Sequence, residues 1–231
     1  MAQRKIKSSA ASDEIVDVVE VKGSQATVRN FLDINQKVIS YIVMGIAILA
    51  ALYFAYKYLY IGPKEKDAVN AMYKAEEVFA KDSFALALEN PGGGFDGFLG
   101  IIDNYGGTKA ANLAKYYAGI SYLNIGKYED AISYLDDYSA KDDVTSLMKL
   151  GALGDAHAEL GDKDTALSFY KDAADSAEND LLSPYYIHKL AILYYSQGKT
   201  KEAAEQLEKI KTKYPDSSEF KDAEKLLARL Q

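Results

Sequence analysis

The sequence predicts an all-α protein: a single N-terminal transmembrane helix, then an α-solenoid of about three and a half repeats with a C-terminal capping helix. Three observations predict it. Residues Val38–Tyr56 run for 19 positions without a charge, bounded by Lys37 and Lys57. A five-residue pattern then recurs three times with identical internal spacing, its starts 35 and 37 residues apart. Between and beyond these stretches, apolar residues return at intervals of three and four, the period of a one-sided helix.

A helix of 19 residues covers about 28 Å, close to the ~30 Å hydrocarbon core of a bilayer. Tyr41, Tyr53, Tyr56, Tyr58 and Tyr60 sit near its ends, where amphipathic rings favour the headgroup region. A 37-residue tail precedes it and no A-x-A-like cleavage site follows, so the run reads as an uncleaved signal anchor spanning residues 38–61. Basic residues do not orient it: Lys22, Arg29 and Lys37 lie on one side, Lys57, Lys64, Lys66 and Lys74 on the other.

Residues 1–37 are expected to form a disordered tail. Its β-branched patch, Glu14–Val21, is the kind of segment that adds to a partner's sheet edge. Val28, Phe31 and Leu32 predict an interfacial turn or two over Thr27–Gln36. After the span, Gly62–Pro63 is expected to break the helix. Lys64–Ala80 restarts it with an apolar stripe of Ala68, Ala71, Met72, Ala75, Val78 and Phe79. A weaker piece at Phe84–Leu88, a loop at Asn90–Gly94 and a helix over Phe95–Tyr105 follow. Residues 64–107 thus hold N-terminal helices and a half repeat, whose first helix the PGGG loop breaks.

Residues 108–231 carry the recurring pattern small–x2–aromatic–x3–Gly–x4–Ala–x3–bulky. It falls on Gly119, Tyr122, Gly126, Ala131 and Leu135; on Gly154, His157, Gly161, Ala166 and Tyr170; and on Ala191, Tyr194, Gly198, Ala203 and Leu207. This resembles the tetratricopeptide repeat, a 34-residue helix–turn–helix unit. The glycine would end the first helix in a left-handed turn that a Cβ disfavours by about 1–2 kcal/mol. Tyr214–Pro215 closes the third repeat as that family expects. Asp216-x-x-Glu219 resembles a capping box, and Phe220, Ala223, Leu227 and Leu230 make a final one-sided helix. The polar face of that helix would seal the solenoid.

The chain has 231 residues and a net charge of −7; the part after residue 37 holds 21 basic and 29 acidic side chains. A domain this acidic is a poor partner for nucleic acid and stands off anionic lipid. With no Cys and two His, thiolate sites, disulfides and histidine-based triads lack residues. His157 falls where the other repeats have tyrosine, a packing position. No Gly-rich phosphate loop is present. The sequence therefore predicts no enzyme, no cofactor, no metal and no small-molecule substrate.

In tetratricopeptide solenoids the first helix of each repeat lines the groove. The resemblance places groove residues at Leu113, Tyr116, Ile120 and Leu123; at Met148, Gly151, Asp155 and Ala158; and at Tyr185, His188, Ile192 and Tyr195. The Lys/Asn carboxylate clamp of chaperone-docking relatives is absent. The groove reads as aromatic and aliphatic, suited to an apolar helix or an extended segment.

The plan of tail, span and repeats, with F-L-x-I-I-x-x-Y-x-x-T at Phe98–Thr108 and A-x-x-A-x-Y-Y-x-G at Ala111–Gly119, resembles the YfgM-type family of ancillary inner-membrane subunits of the bacterial Sec translocon. The resemblance implies a cytoplasmic N-terminus and a periplasmic solenoid. It also implies protein partners: the translocon, a prolyl-isomerase-like chaperone and secreted clients. A structural scaffold of an envelope or division assembly and a cytosol-facing import receptor are the alternatives.

Overall fold

The computed structural model describes residues 34–176 and 179–230. The readings placed on the tail, Glu14–Val21 and most of Thr27–Gln36, lie outside the described residues. Residues up to Tyr60 and residues from Ile61 onward form two units, each taken by itself.

In the first unit, helix α1 runs over Gln36–Ala55 with none of its residues buried. A π-helical segment follows at Tyr56–Ile61. Among the described residues, one helix is long and apolar enough to cross a membrane, with a mean hydropathy of 2.3 in its most apolar stretch. Its aromatic end is ordered by i,i+4 stacking: Phe54 on Tyr58 at 6.2 Å and Tyr56 on Tyr60 at 5.5 Å.

The expected break at Gly62–Pro63 does not occur. Helix α2 spans Gly62–Phe79 with Pro63 in its first turn, and Ile61 keeps helical angles of −71° and −37°. Proline is tolerated where its missing N–H would be unpaired anyway, and the wider π winding ahead of it loosens the i→i−4 ladder that proline disrupts.

The second unit continues with α3 (Phe84–Glu89), α4 (Phe98–Asn104), α5 (Lys109–Asn124), α6 (Tyr128–Asp137), α7 (Asp143–Glu159), α8 (Lys163–Ser176), α9 (Leu182–Ser196), α10 (Thr200–Lys213) and α11 (Phe220–Leu230). The glycine loop interrupts the connection between α3 and α4; α2, the helix before them, is intact. Gly92, Gly93 and Gly94 all take positive φ, which only glycine adopts at little cost. From α2, Ala68, Met72 and Ala75 pack with Phe98, Ile101 and Ala114 in one cluster. Rings extend that cluster: Phe79 meets Phe98 at 6.0 Å, and Phe98 stacks on Tyr117 at 5.0 Å.

Helices α5–α10 form three pairs, and the recurring pattern explains their geometry. Each first helix ends in two backbone bonds, from Lys127 to Tyr122 and Gly126 to Leu123 in the first pair. Asp162 to His157 with Gly161 to Ala158, and Lys199 to Tyr194 with Gly198 to Tyr195, repeat them. Gly126, Gly161 and Gly198 have φ of 76°, 81° and 74°, so the same left-handed cap is built three times. A Cβ on Gly119 or Gly154 would come within 2.6 Å of Leu135 or Tyr170, the bulky position of its own pair. Ala131, Ala166 and Ala203 are fully buried where the second helix crosses the first. His157 is a packing residue: it stacks on Phe169 at 5.3 Å, as Tyr122 does on Tyr134.

The capping box at Asp216–Glu219 is not formed. Helix α11 begins at Phe220, and turns at Ser217 and Phe220 occupy the intervening residues. Its packing is as expected, with Ala223 and Leu227 sealed into the cluster of α7–α10.

A cap absent from the sequence reading appears at α5. Glu65 of α2 accepts from the backbone N–H groups of Lys109 (2.6 Å) and Ala110 (3.1 Å), while Thr108 accepts from Ala111. Three of the four free donors at that helix start are thus satisfied, two of them by a carboxylate 44 residues away. Glu65→Ala is expected to cost the second unit about 1 kcal/mol, the usual value of a lost N-cap. Thermal unfolding should fall by about 2–4 °C in a domain of this size; an unchanged midpoint would show that water replaces the carboxylate without loss.

Candidate functional site

The first helices of the three pairs, α5, α7 and α9, carry the positions that the sequence assigns to the groove. They do not all play the same part. On α5, Leu113 is exposed, whereas Ile120 and Leu123 pack against the small cluster of Leu135, Ala152 and Leu153. Tyr116 is half-buried beside Tyr138, ring centres 5.4 Å apart. Burial, then Tyr138 and Tyr117, pushes its phenol up to about 12.

On α7, Met148 and Ala158 are half-buried. Gly151 is a correction: it is buried, and a Cβ there would collide with the Tyr186 ring of α9. Its small size lets α9 approach α7 there, with the Tyr186 ring over its backbone. On α9, Tyr185, Ile192 and Tyr195 are 41%, 46% and 48% exposed along one face. His188 is half-buried and lies close enough to Asp222 of α11 to help Lys225 hold that carboxyl below the usual carboxylate range.

Asp155 departs most from an apolar groove. Its Oδ1 accepts from Tyr170 Oη at 2.6 Å and from Lys189 Nζ at 2.6 Å. The ammonium is held in turn over the rings of Tyr185 (5.1 Å) and Tyr170 (5.7 Å). Both members of the ion pair are about three-quarters buried, with side chains 26% and 27% exposed. Burial lowers the Lys189 ammonium, but Asp155 and Tyr185 outweigh it and the net shift is upward. Burial first, then Asp155, pushes the Tyr170 phenol far up, so it stays protonated and donating. Helices α7, α8 and α9 therefore meet at one hydrogen-bonded carboxylate.

One turn along α7, Glu159 accepts from Tyr128 Oη at 3.3 Å. Glu159, Tyr128, Asp155, Tyr170, Lys189 and Leu123 line a cleft of about 390 Å³. Four of these residues had no site role in the sequence reading. Lys189 follows the groove position His188, and Asp155–Glu159 is an i,i+4 carboxylate pair; both signals were visible but did not by themselves point to each other. Among the described residues, no three His, Asp or Glu side chains converge to hold a metal ion. What this face offers is apolar and aromatic area around a fixed polar centre.

Residues 116–180 and 186–217 each match a family model described as tetratricopeptide repeat. No curated protein matches the chain. Among solved structures, the kinesin light chain TPR-like repeats from Podosopora anserina are 15% identical, with a TM-score of 0.56, over 72% of this chain and 85% of that one. The MamA protein is 22% identical, with a TM-score of 0.50, over 71% of this chain and 80% of that one. At such identities the likeness is one of fold; the two family matches fall on α5–α10 and the turn that follows, and a tetratricopeptide scaffold is typically non-catalytic and serves to hold protein partners.

Proposed function

We propose that this tetratricopeptide-repeat protein is a membrane-anchored interaction module that holds apolar segments of other proteins on the face shared by α5, α7 and α9. The observation that carries the reading is the uncovered row of Tyr185, Ile192 and Tyr195 on α9. Three large apolar residues, two of them aromatic, stay in contact with water on a helix whose opposite side is sealed in the core, and a row of that kind gains free energy when a partner covers it.

The resemblance to the YfgM-type family makes the finer reading an adaptor at the bacterial inner membrane, tail in the cytoplasm and solenoid in the periplasm. Its partners would be the Sec translocon, a prolyl-isomerase-like chaperone and emerging secreted clients. The mechanism is local concentration: a site anchored beside an exit pore can be weak and still be occupied.

Photocrosslinkers placed at Tyr185 and Tyr195, with exposed Lys221 as the control, test this in cells. Adducts with translocon subunits, an envelope chaperone or many newly exported proteins, confined to the two groove positions, are the expected result. Adducts only with further copies of the chain or one envelope component would favour a scaffold. Adducts with cytosolic proteins would reverse the topology and make the module a cytosol-facing receptor.

A further inference from the structure

We infer that the segment held on this face carries a basic side chain among its apolar ones, and that its ammonium or guanidinium enters the cleft between Glu159 and Asp155. The inference rests on the groove reading above and adds the chemistry of the occupant. The cleft holds two carboxylates one helical turn apart on α7 and one cation, Lys189, which is spent on Asp155 at 2.6 Å. Glu159 makes no ion pair among the described residues; its partner is the neutral phenol of Tyr128. The cleft therefore keeps one uncompensated negative charge.

Two further features fit a cation. The phenols of Tyr128 and Tyr170 donate to the carboxylates, which fixes the oxygens without neutralising them. The ring of Tyr170 already has the Lys189 ammonium 5.7 Å from its centre, so the cleft wall includes an aromatic face in contact with positive charge. The surrounding domain is acidic, 29 acidic against 21 basic side chains beyond residue 37. A basic segment is drawn in by that field, and an acidic one is repelled. Leu123 and Ala158 line the cleft itself, and Ile192 and Tyr195 lie exposed one and two turns beyond Lys189 on α9, so apolar residues flanking the basic one have surfaces to cover.

The test uses the full chain in lipid nanodiscs and three fluorescent 16-residue Leu/Ala helical peptides that differ only at the centre: Lys, norleucine or Glu. The Lys peptide should bind at least tenfold more tightly than the Glu peptide, with norleucine between them. Glu159→Gln should abolish the preference, and Glu159→Lys should reverse it. Tyr195→Ala should weaken all three alike, which reports on the groove separately from the cleft. Equal binding of the three peptides, still sensitive to Tyr195→Ala, would overturn the basic-residue inference and leave the groove standing. No binding by any of them, or binding indifferent to Tyr195→Ala, would overturn both. Free spermidine binding as tightly as the Lys peptide would assign the cleft to small polyamines and overturn the peptide occupant.

Discussion

Gly151→Ala is expected to unfold the repeat domain at a temperature on the order of 10 °C below that of the wild type. The added methyl would occupy the space of the Tyr186 ring. That ring cannot retreat easily: Tyr186 is 7% exposed and belongs to the cluster of Tyr170, Ile187, Leu190 and Ala191. Overpacking a close-packed site costs about 1–3 kcal/mol, and a backbone-to-ring contact shared by two helices belongs at the upper end. At about 2–4 °C per kcal/mol for a domain of this size, the shift follows. Gly151→Val should do more. Tyr186→Leu in the Gly151→Ala background should recover most of the loss, because the two residues are in contact and their effects couple. A wild-type midpoint for Gly151→Ala would mean that α7 and α9 can part without cost, and the close approach at Tyr186 would carry no stability. The same variant should weaken partner binding more than its stability loss explains, because Tyr185 on α9 is carried away from α7 along with its neighbour.

Gly151 also shows what the sequence could and could not disclose. Gly126, Gly161 and Gly198 were legible because a left-handed cap constrains the chain locally, and the constraint recurs at fixed spacing. The apolar run of α1 was legible for the same reason: length and absence of charge are properties of the segment alone. Gly151 has no local role. It is small because of Tyr186, 35 residues away, so a rule that carries groove positions from repeat to repeat placed it on the wrong side of the interface. The Glu65 cap on α5 and the meeting of Asp155 with Lys189 were hidden likewise, since each joins groups 34 or more residues apart. The two local signals that failed, the break at Gly62–Pro63 and the box at Asp216–Glu219, failed because each admits a second backbone solution. Proline is accepted in a first helical turn, and the chain after Pro215 turns twice before α11 starts.

Deleting residues 1–60 should separate binding from function and is the strongest test of the anchor. The fragment 61–231 retains all three buried clusters, which draw on α2–α11 and on nothing from α1. It is therefore expected to fold, to melt as the repeat domain of the full chain does, and to bind the Lys-centred peptide with unchanged affinity. In cells it should be inactive or nearly so. A site confined near its partner experiences an effective concentration of about a millimolar, and losing that confinement lowers apparent affinity by about 10²–10⁴-fold with no contact removed. Replacing α1 by an unrelated single span of the same orientation distinguishes two roles of the helix. Restored activity means that α1 supplies position only. Persistent inactivity, with the chimera correctly inserted, means that α1 or its Tyr-rich end makes a specific contact of its own. Full activity of the untethered fragment at native expression would defeat the local-concentration mechanism, and the groove would then have to act with an affinity high enough to need no anchor.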